Sequence, residues 1–151
     1  MRMIPRSPVP LACLAVLLLA AGTGTARAAC GVSASGLAFG PVNPLAGAPV
    51  DSAATLTVSC AETTAYSIAL LPGAGPGGLH EMTSGADALL FGLYVDPLRS
   101  IPWGDGTGGS QVVGGSAGPT GSAHTVHGRL PPQPLARAGH YGGTVVVVVS
   151  W

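Results

Sequence analysis

The last residues of the chain, Thr144-Val145-Val146-Val147-Val148-Val149-Ser150-Trp151, form a β-branched run without proline. Valine is stiff at its first side-chain torsion and favours extended backbone. A segment of this kind is flat and adhesive, and proteins normally pair or shield it. Trp151 is the last residue of the sequence. The expectation is therefore a final strand, Tyr141 to Trp151, whose outer neighbour is supplied by another polypeptide. The surface offered to that neighbour would comprise Tyr141, Val145, Val146, Val147, Val148, Val149 and Trp151.

The rest of the chain fits the same architecture. Val32 to Phe39 is a weak first strand closed by Gly40-Pro41. Thr55 to Cys60 alternates, with Leu56, Val58 and Cys60 on one face. Tyr66 to Leu71 sets Tyr66, Ile68 and Leu70 together, and Leu89 to Val95 does so with Leu89, Phe91, Leu93 and Val95. Thr125 to Leu130 is a further strand. Period-two alternation with turn residues between the runs predicts an all-β sandwich. The chain has 24 glycines and 14 prolines, close to the composition of disordered chains. They cluster between the apolar runs, however, which keeps the reading globular. Gly104 to Ser122 reads as a Gly/Ser-rich loop, long for a compact domain.

The front of the chain reads as a secretion signal. Arg2 and Arg6 supply the positive region, Leu11 to Ala21 the apolar core, and Ala26-Arg27-Ala28 the cleavage site. The apolar run is too short to span a bilayer, so no transmembrane segment is expected. The division is residues 1–28 as signal and residues 29–151 as one sandwich domain. That domain keeps Arg99, Arg129 and Arg137 against six acids, for a net charge of about −3, and has no lysine. Such a balance excludes an electrostatic footprint for nucleic acid or anionic membrane. Two cysteines remain, Cys30 and Cys60, which outside the cytoplasm read as a disulfide. Closing a loop of that length contributes about 3.5 to 4 kcal/mol. A metal site would need more ligands at shorter spacing.

Two catalytic patterns occur without their context. Gly104-Asp105-Gly106-Thr107-Gly108-Gly109 fits G-x-G-x-x-G, but a dinucleotide site needs a strand before it and a helix after it. Gly114-Gly115-Ser116-Ala117-Gly118 fits G-x-S-x-G, which also needs a strand-to-helix turn. His124 and His127 are three apart and on a strand would face opposite ways, so they do not share a metal. No acid–base or nucleophile set is present, and the expectation is a non-enzyme without cofactor or metal. Trp103, at the edge of the long loop, has two readings. One is an exposed platform for a sugar or protein ligand. The other, which is preferred, is a ring folded back over the end of the sandwich.

The order of these pieces resembles the spore coat protein U domain family, which includes pilins of Csu-type chaperone–usher systems. The resemblance rests on Leu37-Ala38-Phe39-Gly40, the strand ending in Cys60, Leu90-Phe91-Gly92-Leu93-Tyr94-Val95-Asp96 and Trp103-Gly104-Asp105-Gly106. It continues through His127-Gly128-Arg129-Leu130-Pro131 and Gly139-His140-Tyr141 to Thr144–Trp151. It implies an immunoglobulin-like sandwich lacking its final strand. A periplasmic chaperone first fills the gap, then a neighbouring pilin subunit, with an outer-membrane usher mediating the exchange. The product would be a secreted subunit that crosses the periplasm into a cell-surface fibre. The chain departs from the family pattern at Pro41-Val42, at Gly92 and at Gly142-Gly143, changes expected to loosen turns. With cleavage after Ala28, only Ala29 precedes Cys30, so the subunit would accept a strand without lending one and occupy the distal end of a fibre or a stalled assembly step. The alternative is a stand-alone secreted binding module with a self-complete sandwich.

Overall fold

The computed structural model describes residues 29–151, and the expected secretion signal lies outside them. Alternating apolar residues become strands in order: β1 (Cys30–Ala34), β2 (Val50–Cys60), β3 (Thr64–Leu70), β4 (His80–Ser84), β5 (Asp87–Tyr94), β6 (Val113–Ala117), β7 (Ser122–Leu130) and β8 (Val147–Ser150). Every pairing between them is antiparallel. One sheet runs β1-β2-β7-β5-β4 and the other β6-β3-β8. Their inner faces share one core, as in an immunoglobulin-like sandwich. Leu56 and Val58 of β2 meet Ile68 and Leu70 of β3 there, each no more than 1% exposed. No α-helix occurs among the described residues.

The disulfide joins Cys30 to Cys60, which are direct cross-strand partners at the ends of β1 and β2. The Ala61 N–H donates to the Ala29 carbonyl, whereas the Cys60 N–H turns away to Gly118. The cysteines thus occupy a non-hydrogen-bonded pair, where α-carbons approach most closely, here 4.0 Å. The bridge fixes the register of β1 against β2, as expected.

Four expectations need correction. The first strand stops at Ala34, and Leu37 and Phe39 leave the sheet to pack beneath the larger one. The expected strand at Tyr141–Trp151 is regular only from Val147 to Ser150, because the chain before it changes sheets. Strand β4 was not expected, since His80-Glu81-Met82-Thr83-Ser84 has little apolar signal. Its hairpin partner holds it through a two-residue turn that starts at Gly85, with φ +62°. Strand β6 lies within the segment expected to be a loop. It is an edge strand of glycine and serine, paired with β3 by its backbone. Gly115 is required there, because a Cβ would lie 2.7 Å from the Tyr66 hydroxyl.

Candidate strand-docking site

β8 places Val147 and Val149 toward the core and Val148 outward, where it is 41% exposed. Val146, just before the strand, is 52% exposed and Trp151, just after it, 56%. One edge of β8 pairs with β3, from Leu70↔Val147 to Ser67↔Ser150. Among the described residues no strand pairs with its other edge. Backbone groups along such an edge are a template for another extended chain.

Beside that edge the sandwich is open. A cleft of about 330 Å³ is lined on one side by Ala34, Ser35, Leu37 and Phe39, and on the other by Tyr141, Gly142, Gly143, Val145 and Val147. Its floor is the core itself: Leu56, Leu70, Phe91, Leu93 and Val126. No charged side chain lines it. A broader hollow of about 720 Å³ shares Leu37, Phe39, Met82 and Tyr141 with the cleft and extends it toward Pro131 and Arg137. Buried leucines and a phenylalanine lie at the bottom of this cleft.

Of the residues expected to dock a strand, Tyr141, Val145 and Val147 line the cleft. Val149 packs against the core, whereas Val146, Val148 and Trp151 face outward. Leu37, Phe39, Met82 and Phe91 had no assigned role and form the opposite wall and floor. Their signal was present in the sequence. Leu37-Ala38-Phe39 and Phe91 belong to segments that carry the family resemblance, and the structure brings those segments together. The rings of Phe39 and Phe91 meet edge-on at 5.8 Å. A Cβ on Gly128 would lie 2.6 Å from Leu37 Cδ2 and 3.2 Å from Phe39 Cζ, so glycine lets that wall rest on β7.

Trp103 is elsewhere and buried, 3% exposed. Its indole N–H donates to the Ile68 carbonyl at 3.1 Å, and its ring lies 6.3 Å from that of His124. This is the folded-back arrangement, and the ring offers no open face to a ligand. His124 is hydrogen-bonded to the Tyr66 hydroxyl at 2.6 Å. Ser116 lies on a strand, not on a strand-to-helix turn. Among the described residues, no three His, Cys, Asp or Glu side chains gather as metal ligands. No described helix is long and apolar enough to cross a membrane. His80 is the one buried polar or charged residue among those described, stacked 5.4 Å from Phe91, and burial pushes its pKa down.

Fold and site together define an immunoglobulin-like sandwich whose β8 edge lies open beside an apolar cleft. The model of the spore coat protein U domain matches residues 15–148, and the chain belongs to that family. Among solved structures it is similar to a chaperone–tip adhesion subunit pre-assembly complex from the archaic chaperone-usher Csu pili of Acinetobacter baumannii. Identity is 22% and the TM-score 0.54. The match covers 83% of this chain and 40% of that one, so this chain spans well under half the length of that neighbour. A comparison with curated proteins found no match.

Proposed function

We propose that the chain is a secreted structural subunit of a chaperone–usher type surface fibre, and that it accepts a β-strand along β8. The observation that carries this reading is the open β8 edge bordering an apolar cleft with core residues for a floor. An inserted strand would pair its backbone with β8 while alternate side chains enter the cleft. Family membership supports the reading, as does a fold shared with a complex described as a chaperone bound to a pilus subunit. Magnitude supports it too. Each apolar side chain buried by the incoming strand contributes about 1.5 to 3 kcal/mol, against a total domain stability of about 5 to 15 kcal/mol. The partners are a periplasmic chaperone, then a neighbouring subunit, delivered through an outer-membrane usher.

Cleavage of the signal after Ala28 would leave a subunit that receives a strand and lends none, placing it at a fibre terminus. The N-terminal mass of the secreted protein tests that placement, and a long segment retained before Cys30 removes it.

The main experiment is expression with and without the candidate chaperone, followed by size-exclusion chromatography. The chain should be recovered as a complex with the chaperone and poorly without it. Val147→Asp, which puts a charge into the cleft wall, should abolish recovery of the complex. A lone chain that is monomeric and unfolds cooperatively with no partner would overturn the proposal.

A further inference from the structure

Gly142-Gly143 departs from the family pattern, and the departure was expected to loosen a turn. The structure shows the reverse. The Thr83 N–H donates to the Gly142 carbonyl at 2.8 Å, and the Gly142 N–H donates back to Thr83 at 3.1 Å. Gly142 thereby fastens the C-terminal segment to β4 of the larger sheet. By Val146 the segment has reached the smaller sheet, where its carbonyl accepts from the Leu71 N–H at 3.0 Å. The segment is thus tied to one sheet at Gly142 and to the other at Val146.

The crossing is tight at one residue only. A Cβ on Gly143 would lie 2.3 Å from the Glu81 carbonyl oxygen, a backbone atom that cannot swing aside. A Cβ on Gly142 would meet nothing within 4 Å. Neither glycine has positive φ, so position 143 needs glycine for space and not for conformation. Tyr141 precedes the pair, Val145 follows it, and both line the cleft.

This inference rests on the strand-acceptor reading. We propose that Gly143 is a positioning residue of the cleft: its bare α-carbon, seated on β4, sets how far Tyr141 and Val145 stand from Leu37 and Phe39. A side chain at 143 lifts the segment off Glu81, moves that wall of the cleft and weakens the hold on an inserted strand. Gly142 acts through its backbone, so a methyl there leaves the cleft as it is.

The test refolds the disulfide-intact chain in the presence of a fluorescein-labelled extended peptide alternating valine with threonine, so that no stable free chain is needed, and reads capture by fluorescence anisotropy. Gly143→Ala should weaken binding by about tenfold or more, the scale of one overpacked methyl. Gly142→Ala should bind like the unsubstituted chain. In Gly143→Ala, hydrogen exchange at the Thr83 amide should speed up. Thr83→Pro reaches the same tie from the other side and covers the case in which Gly143→Ala fails to fold. It deletes the N–H that bonds Gly142, and proline is tolerated on an edge strand when its N–H faces away from the ladder. It should weaken binding in the same way. If the unsubstituted chain captures the peptide and both Gly143→Ala and Thr83→Pro capture it equally well, the role of Gly143 is overturned. If the unsubstituted chain captures nothing, the acceptor reading itself falls, and this inference with it.

Discussion

β2 and β8 both turn apolar side chains into the core, yet they occupy opposite situations. β2 has β1 on one side and β7 on the other, with nine register pairs to β7 alone from Val50↔Leu130 to Val58↔Ser122. Its inward residues Leu56 and Val58 are at most 1% exposed. β8 has four register pairs, all to β3. Its outward Val148 faces solvent, and its inward Val147 faces a cleft. Both strands feed the same core. What differs is how far the other described strands cover each of them. Under the strand-acceptor proposal, the uncovered edge of β8 is where a partner strand would lie.

The largest effect should separate the two strands directly. Leu56→Ala in β2 removes a side chain that is 1% exposed at the base of the cleft and should cost about 3 to 5 kcal/mol. Val148→Ala on the outer face of β8 should cost no more than about 0.5 kcal/mol. Denaturant midpoints of the two variants, each measured in complex with the proposed chaperone, make the comparison. Equal costs would mean that β8 is as enclosed as β2, and the contrast would break.

Next in size is the Cys30–Cys60 bridge. It ties β1 to β2 just ahead of Ala34, Ser35, Leu37 and Phe39, which line the cleft. Replacing both cysteines by alanine should cost about 3 to 4 kcal/mol. Because the lost restraint lies beside one wall of the cleft, strand capture should weaken along with stability. A variant that loses stability but captures a strand as before would show that the two sides of the cleft are set independently.

Most of the framework was legible in the sequence, and the reasons for the misses are physical. Strands β2, β3, β5 and β7 alternate cleanly because one face of each lies in the core. β4 and β6 carry little alternation, because their positions depend on backbone pairing and on what glycine leaves out. Strand β8 could be read from its valines. The opposite wall had only the family resemblance for a signal, because Leu37 and Phe39 lie outside any strand. The tight crossing at Gly143 was misread for a related reason: the sequence shows a missing side chain but not the carbonyl that fills its place.

His80 gives a smaller, pH-dependent effect on the floor side of the comparison. It stacks on Phe91, part of the cleft floor, and burial pushes its pKa below the ordinary histidine value. The unfolded chain therefore binds a proton that the folded one resists, so stability should be level above about pH 6.5 and fall as pH drops below it. No other titratable side chain is in a described hydrogen bond or ion pair with His80. Its register partner Phe91 carries no charge. Unfolding followed across this range should show the slope in the unsubstituted chain and a reduced slope in His80→Gln. An unchanged slope would place the acid sensitivity elsewhere.

The smallest expected effect lies on the enclosed side. Asp51 of β2 is gripped by Arg129 of β7 through two hydrogen bonds, at 2.7 and 2.9 Å, and Arg99 approaches to 3.2 Å. Arg99 has positive φ, 58°, in a turn where Asp96 accepts from Ser100 and Ile101. Its guanidinium also donates to the Gly128 carbonyl. The hydrogen bond from Arg129 is the main reason the Asp51 carboxyl lies below its ordinary range. Its side chain is 36% exposed, so water screens much of the attraction. Asp51→Asn should cost about 0.2 to 1 kcal/mol, present at neutral pH and lost as pH falls through the lowered carboxyl pKa. Asp51 and Arg129 are register partners within the larger sheet, and neither lines the cleft, so the substitution should leave strand capture at β8 unchanged. Weakened capture in Asp51→Asn would mean that the enclosed sheet and the open edge are mechanically joined, and the contrast between them would have to be redrawn.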